Sequence, residues 1–118
     1  MIVEGEQVHY FEGGTGDPVV LVHGLGSYAQ QDWAFLMPYL VRTGHHVYAM
    51  DLLGFGESAK PADRTYSIAE QAKLVEVFLD AKHLNTVTLA GISMGGWIAA
   101  MVALDQPQRI TRLHSCPN

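Results

Sequence analysis

The residues with the clearest chemical potential are a serine and its neighbouring glycines in the segment LAGISMGGW, residues 89–97. Ser93 stands between Gly91 and Gly95, after an apolar run and before a helix-like run. A serine hydroxyl is a weak nucleophile unless it is exposed, aimed and deprotonated by a base. Small residues on both sides permit the sharp strand-to-helix turn that exposes it, so this spacing predicts Ser93 as a nucleophile.

Ser93 also fits a simpler role, because serine is a favoured N-cap residue at the start of a helix. The position of the motif between a predicted strand and a predicted helix favours the nucleophile. A third glycine, Gly96, eases the approach of the helix to the strand. The N-terminus of that helix presents free N–H groups and a partial positive charge, which favour negative charge at this place.

Two further segments each run from a predicted strand into a glycine-containing turn. One is VVLVHGLGS, residues 19–27, and the other is MDLLGFGES, residues 50–58. Ligands of parallel sheets bind at the carboxyl ends of the strands, so we expect both segments to lie at the same sheet edge as Ser93. Asp51 begins the second segment and is predicted mainly to bond turn amides, with the role of a catalytic acid as the less favoured alternative.

Strands and helices alternate along the chain. The N-terminus is predicted to form a β-hairpin that turns at Gly5 between residues 2–3 and 8–10. Continuous apolar runs predict buried strands, helical spacing predicts helices, and the last segment resembles a strand. The predicted strands are 19–24, 45–52, 86–93 and 110–115, the predicted helices are 30–43, 66–84 and 94–106, and a loop is predicted over 53–65.

Several residues mark the ends and irregularities of the helices. Pro38 is expected to kink or shorten the first helix near Met37, because proline lacks a backbone donor. Gly44 is expected to cap that helix at its C-terminus. Ser67 is placed to cap the second helix, with Glu70 at the spacing of a capping box.

This order of elements predicts an α/β fold. Right-handed βαβ crossovers give a mostly parallel, doubly wound sheet with the N-terminal hairpin and about three main helices. Its 118 residues are expected to form a single domain, 1–118.

Composition excludes several functional classes. The net charge is −5 with scattered basic residues, so no nucleic-acid partner is expected. The chain has one cysteine, Cys116, and predicts no metal site and no cofactor. Neither a targeting peptide nor a membrane-spanning run is recognisable, which favours the cytoplasm.

The three segments, in this order and at these intervals, resemble the N-terminal half of an α/β-hydrolase fold protein of the esterase, C–C hydrolase and haloperoxidase-like branch. The resemblance covers residues 8–112. It implies a carboxylesterase-like serine hydrolase acting on small esters, with an oxyanion hole formed by the N–H groups of Leu25 and Met94. It also implies that His23 supports the oxyanion loop, which Gly24 and Gly26 allow to adopt its conformation.

The resemblance stops at the C-terminus, because the family's acid and histidine lie downstream of the nucleophile and the chain ends 25 residues after Ser93. His114 is the candidate base within the chain. The alternative is a base from another subunit, since an unpaired apolar strand at residues 110–113 favours a homo-oligomer. Two other functions stay open: a non-catalytic, oligomerising relative that binds acyl-like ligands or nothing, and a hydrolase that cleaves C–C bonds.

Overall fold

The computed structural model describes residues 1–62 and 66–116. The strands are β1 Ile2–Val3, β2 Glu6–Gln7, β3 Tyr10–Gly13, β4 Asp17–Val22, β5 His45–Met50, β6 Val87–Ile92 and β7 Ile110–Cys116. The helices are α1 Ala29–Trp33, α2 Leu36–Arg42, α3 Ile68–Ala81 and α4 Met94–Asp105.

The main sheet has the strand order β3-β5-β4-β6-β7. Strand β3 is antiparallel to β5, and the other three pairings are parallel. The crossover from β4 runs through α1 and α2 to β5, and α3 and α4 lead to the next two strands. The carboxyl ends of the central strands therefore meet at one edge, and this edge carries the three segments singled out above.

Apolar side chains alternate between the two faces of the sheet, because successive residues of a strand point in opposite directions. Val20 and Leu89 pack into the larger core beneath α3 and α4. Val19 and Ala90 pack into the smaller core beneath α1 and α2. Helices therefore lie on both faces, and the predicted α/β, doubly wound, mostly parallel sheet is confirmed.

The predicted helix over 30–43 is two helices, so the described part of the chain has four helices in place of about three. The break falls at Ala34 and Phe35, upstream of the predicted kink near Met37. Proline's ring clashes with the carbonyl four residues earlier, and for Pro38 that residue is Ala34. Restarting the helix at Leu36 places Pro38 in the first turn, where a missing N–H costs nothing.

The predicted N-terminal hairpin is present, but the prediction placed its second strand at the wrong residues. Strand β1 pairs with β2, two residues before the predicted partner strand at 8–10. Tyr10 instead begins β3 and pairs with Met50 of the main sheet. The turn lies at Glu4 and Gly5, both with positive φ. Because this turn has only two residues, Val3 pairs with Glu6 and Ile2 pairs with Gln7.

The predicted caps of two helices agree with the structure, and the strand predicted over 110–115 is β7, Ile110–Cys116. The backbone N–H of Glu70 donates to the Ser67 hydroxyl at 3.1 Å, which confirms the cap of α3. Gly44 follows α2 with φ +90° and donates to the Val41 carbonyl, as a C-terminal glycine does. The predicted loop over 53–65 is irregular as far as residue 62, and its last three residues lie outside the described ranges.

Candidate active site

Ser93 occupies a sharp turn between β6 and α4. Its backbone has φ 53° and ψ −116°, a conformation that residues other than glycine rarely adopt. Its N–H donates to the carbonyl of Cys116 at 2.9 Å, and its C=O accepts from Gly96 at 2.9 Å. Both backbone groups of Ser93 are therefore held by β7 and α4, and the strained turn is fixed from two sides.

The glycines around Ser93 are required by close backbone contacts. A Cβ on Gly91 would lie 2.1 Å from the Gly95 carbonyl oxygen. A Cβ on Gly95 would lie 2.3 Å from the carbonyl oxygen of Val22. A Cβ on Gly96 would meet the Ser115 hydroxyl at 2.4 Å. The turn packs against its neighbours so tightly that only glycine fits at the first two positions without a backbone shift.

His23 is fully buried behind the loop that follows β4. The backbone N–H of Leu52 donates to Nε2 at 3.0 Å, so Nε2 is the acceptor and the proton is on Nδ1. That Nδ1–H donates to the Gly24 carbonyl at 2.8 Å. Burial lowers the pKa of the imidazole, against the opposing effect of the Gly24 bond. His23 is thus a neutral, fully bonded histidine with no lone pair left for proton transfer.

The Gly24–Leu25 peptide is oriented by these contacts. The Gly24 carbonyl accepts from His23 and also from the Ser27 N–H at 3.2 Å. In a trans peptide the N–H points opposite to the preceding C=O, so the direction of the Leu25 N–H is fixed. A Cβ built on Gly24 would lie 3.6 Å from the Ser93 Cβ, which places this loop directly against the Ser93 turn.

The two predicted oxyanion donors are free to bind a ligand. Within residues 1–62 and 66–116, neither the Leu25 N–H nor the Met94 N–H has a hydrogen-bond acceptor. Met94 is the first residue of α4, where N–H groups lack intrahelical partners. The glycine at the other side of the loop, Gly26, has φ +73° and open space around it, so it completes the turn without contacting the site.

Asp32 is a residue that sequence reasoning missed. One carboxylate oxygen accepts from the Gly24 N–H at 2.8 Å, and the other accepts from the Ser27 hydroxyl at 2.8 Å. Asp32 therefore holds both ends of the 24–27 loop. Its spacing of eight residues from Gly24, across a loop and a short helix, is no recognised pattern, so no sequence signal points to Asp32.

Asp51 lies at the predicted sheet edge and acts as an architectural centre. Its carboxylate accepts from the N–H groups of Ala29 and Glu57 at 2.8 and 2.9 Å, and pairs with His9 Nδ1 at 3.0 Å. It follows β5, which is separated from β6 by β4, so it is about 10 Å from the Ser93 turn. The half-buried His9 is thereby bonded to this carboxylate.

His114 is not brought to Ser93. It is exposed on β7 and level with Ala90, three residues before Ser93, or about 10 Å back along the strand. The Ser93 hydroxyl has no hydrogen-bond partner among the described residues. Over the same ranges, no three His, Cys, Asp or Glu side chains converge as metal ligands, and no helix is long and apolar enough to cross a membrane.

The geometry unites a strained serine turn, glycine-dependent crowding and two free amide donors at one edge of a parallel sheet. The family model described as alpha/beta hydrolase fold matches residues 17–118. The chain belongs to the α/β-hydrolase family. Within this family it is similar to enzymes of several reaction types.

Two curated α/β-hydrolase relatives illustrate the range. The chain is 35% identical to a 2-hydroxymuconate semialdehyde hydrolase of Pseudomonas sp. (strain CF600), over 96% of this chain and 40% of that protein. It is 37% identical to a haloalkane dehalogenase of Psychrobacter cryohalolentis, over 91% of this chain and 36% of that protein. The chain thus spans well under half the length of these relatives.

Solved α/β-hydrolase structures superpose closely on the chain. A meta-cleavage product hydrolase from Pseudomonas fluorescens IP01 matches with a TM-score of 0.91 and 29% identity, over 96% of this chain and 42% of that one. The expected likeness to an N-terminal portion of the family fold is therefore confirmed. The residue roles assigned to Ser93, Leu25, Met94 and His114 stay predictions.

Proposed function

We propose that the chain carries the nucleophile and oxyanion hole of a serine hydrolase that acts on small esters. The observation that supports this proposal is the backbone of Ser93, held at positive φ against a loop with a free amide. Such strain persists only where the surroundings enforce it, and it is concentrated at functional sites. An N-cap serine needs no such conformation, because caps adopt extended backbone.

In the proposed reaction, the Ser93 Oγ attacks the ester carbonyl carbon while a base takes its proton. The carbonyl oxygen becomes an oxyanion that accepts from the N–H groups of Leu25 and Met94. Collapse of this intermediate expels the alkoxide, which takes the proton back from the base and leaves as the alcohol, while the acyl group stays on Ser93. Water then attacks the acyl carbon and releases the carboxylic acid. Each fixed donor is worth about 3 kcal/mol in such transition states.

In this proposal, the base does not come from the described residues of the same copy of the chain. His23 has both nitrogens bonded, and Asp51 and His114 lie about 10 Å from the serine turn. The unpaired edge of β7 supplies a means to recruit it, because its residues 111–116 are exposed and the carbonyl of Cys116 already contacts Ser93. A second copy of the chain bound at this edge would reach the site.

Hydrolysis of a p-nitrophenyl acetate series by wild type and Ser93→Ala tests the nucleophile. Without a positioned base, hydrolysis should be slow yet measurable, because binding and the oxyanion hole alone still accelerate such reactions. Ser93→Ala should lower the rate at least about tenfold, because it removes the nucleophile and keeps only binding and the oxyanion hole. Asp17→Asn, at the opposite end of the sheet, serves as control and should keep the wild-type rate. Equal turnover by wild type and Ser93→Ala would support the non-catalytic alternative.

A second candidate is hydrolysis of a C–C bond next to a ketone. The similarity to a 2-hydroxymuconate semialdehyde hydrolase and to a meta-cleavage product hydrolase favours it. The same attack on a carbonyl would then expel a carbanion, which must take up the proton that an alkoxide leaving group takes up in an ester. The serine at the turn suits both, since each begins at a carbonyl carbon.

The two candidates differ in how much they need the base. A carbanion is a far poorer leaving group than p-nitrophenolate. A site without a base should therefore cleave activated esters and leave the C–C bond next to a ketone intact. We therefore expect ester turnover with no C–C cleavage by the isolated chain. C–C cleavage that is lost in Ser93→Ala would make the second candidate the function.

A further inference from the structure

We infer that Asp32 is the positioning residue of the oxyanion hole: its carboxylate bridges the two ends of the 24–27 loop and so fixes the Leu25 N–H against Ser93. This inference rests on the proposed function, because it assigns a role at the same site. Asp32 touches no substrate atom. It acts through the backbone of the loop.

Its glycines give the 24–27 loop conformational freedom. Gly24 has no Cβ to restrict its backbone, and Gly26 has positive φ in open space. A loop of this composition has no intrinsic preference for one orientation of the amide between these glycines. Leu25 does not anchor it either, since its side chain is 70% exposed. The conformation must therefore be imposed by contacts outside the loop.

Asp32 makes those contacts on the side of Ser93. Its Oδ2 accepts from the Gly24 N–H and its Oδ1 accepts from the Ser27 hydroxyl, both at 2.8 Å. Bonds to an ionised carboxylate are about twice as strong as neutral ones. His23 holds the carbonyl of Gly24 while Asp32 holds its N–H, so both peptide planes that flank Gly24 are fixed.

Asp32 is itself held on a short but well-anchored element. Helix α1 begins at Ala29, whose N–H donates to Asp51 Oδ1 at 2.8 Å. It ends at Trp33, which is buried in the core beneath this face of the sheet. The five residues of α1 are thus held at both ends, so the backbone position from which the Asp32 side chain extends is fixed. Asp51 therefore reaches the oxyanion loop through α1 rather than through direct contact with Ser93.

The inference predicts a loss in the chemical step rather than in binding. With p-nitrophenyl acetate, Asp32→Ala should lower kcat about 10-fold to 100-fold and change KM less than about threefold, as misplacement of a catalytic group does. Asp32→Asn keeps one acceptor oxygen and should fall in between. Ser27→Ala keeps the Gly24 bond and loses the other end of the bridge, so its kcat should also lie between those of Asp32→Ala and wild type. Asp17→Asn is the control for the loss of one negative charge.

A second readout does not depend on activity. Amide hydrogen exchange at Gly24, measured by NMR, should be at least about tenfold faster in Asp32→Ala than in wild type, with exchange in α3 unchanged. Asp32→Leu has nearly the shape of aspartate and no acceptor oxygen, so it serves for both readouts if Asp32→Ala fails to fold. A wild-type kcat or unchanged Gly24 exchange in Asp32→Ala, or in Asp32→Leu if it is used, would overturn the inference. Absence of any Ser93-dependent turnover in wild type would instead overturn the proposed function, and Gly24 exchange would still decide the role of Asp32.

Discussion

Ser93 stores backbone strain, since a non-glycine residue at φ 53° and ψ −116° costs about 1–3 kcal/mol. Glycine adopts positive φ without a steric penalty. Ser93→Gly should therefore be more stable to urea than Ser93→Ala by about 1 kcal/mol, although both lack the hydroxyl. The two unfolding curves give the comparison directly. A Ser93→Ala variant as stable as Ser93→Gly would show that the turn is relaxed.

His23 should titrate at lower pH than an exposed histidine, because burial lowers its pKa. A lowered folded pKa contributes stability that is complete above the unfolded value of about 6.5 and is lost as pH falls through the folded value. The free energy of unfolding should thus decline in this acidic range. Nitrogen-detected NMR of the imidazole should show the Nδ1–H tautomer at pH 7. Protonation of His23 at or above pH 6.5 would contradict this.

At the residue scale, site residues that stand at a recognisable spacing can be predicted from the sequence. Residues that loops carry to the sheet edge cannot. Ser93 and its flanking glycines are found because a strand-to-helix turn has local requirements. Asp32 and His9 are missed because their partners, Gly24 and Asp51, are set by how loops fold over the sheet edge. No periodicity of strands or helices encodes such pairings.

Among the elements, β4 and α4 make a close backbone contact at Gly95. A Cβ on Gly95 would meet backbone oxygens of Val22 and His23 at 2.3 and 2.5 Å, and backbone cannot move as a side chain does. Gly95→Ala should therefore cost about 3 kcal/mol or more of stability. Gly13→Ala is the control, because its Cβ would meet Val41 at an ordinary 3.6 Å. Equal urea midpoints for the two variants would refute this tight packing.

The interface of α3 with α4 contains a buried acid, Glu76. Its Oε1 accepts from the Gln106 amide at 3.2 Å, while its buried Oε2 has no partner within the described residues. Burial, followed by the neighbouring Asp105, raises the pKa of Glu76. A proton shared with Asp105 would supply the missing bond, and neither carboxylate can donate one when ionised.

A raised folded pKa makes Glu76 costly at high pH, because stability is lost as pH rises from the unfolded value of about 4.3 through the folded value. Glu76→Gln stays neutral and should escape this loss. The stability of Glu76→Gln relative to wild type should increase between pH 5 and pH 8, by about 1 kcal/mol. Urea unfolding at both pH values measures it. A difference that is independent of pH would contradict the assignment.

The type of an element could be predicted where its hydrophobic periodicity is strong. Its boundaries could not be predicted where the periodicity and a local residue preference, such as that of proline, point to different ends. The buried strands and the Ser67-capped α3 follow from local pattern. The helical spacing over 30–43 continues through Pro38, so the pattern predicts one helix with a kink near Met37. The structure has two helices, because the proline ring excludes a helical carbonyl at Ala34.

The whole molecule exposes two surfaces that α/β proteins usually cover. Strand β7 has an unpaired edge, and α4 is apolar on several sides, with Trp97 71% and Leu104 82% exposed. A helix that is apolar all round is normally buried, and open strand edges pair with other chains. We propose that copies of the chain associate through β7 and the outer face of α4.

Light scattering after gel filtration tests this association. The wild type should show a mass above the monomer's 12.9 kDa that rises with concentration. Leu113→Lys places a charge on the edge strand and should shift the population to monomer, since lysine on an edge opposes pairing. Lys60→Gln, on a loop away from β7, is the control. A concentration-independent monomeric wild type would exclude this mode of association.

The most direct test of the central claim, that Ser93 is a nucleophile beside a formed oxyanion hole, is intact-mass analysis after treatment with a fluorophosphonate. The reagent mimics the acyl substrate, and its phosphoryl oxygen occupies the place of the oxyanion. We predict a single adduct on folded wild type, mapped by peptide analysis to Ser93 and absent from Ser93→Ala. An unlabelled folded protein, or an adduct that persists in Ser93→Ala, would contradict the claim.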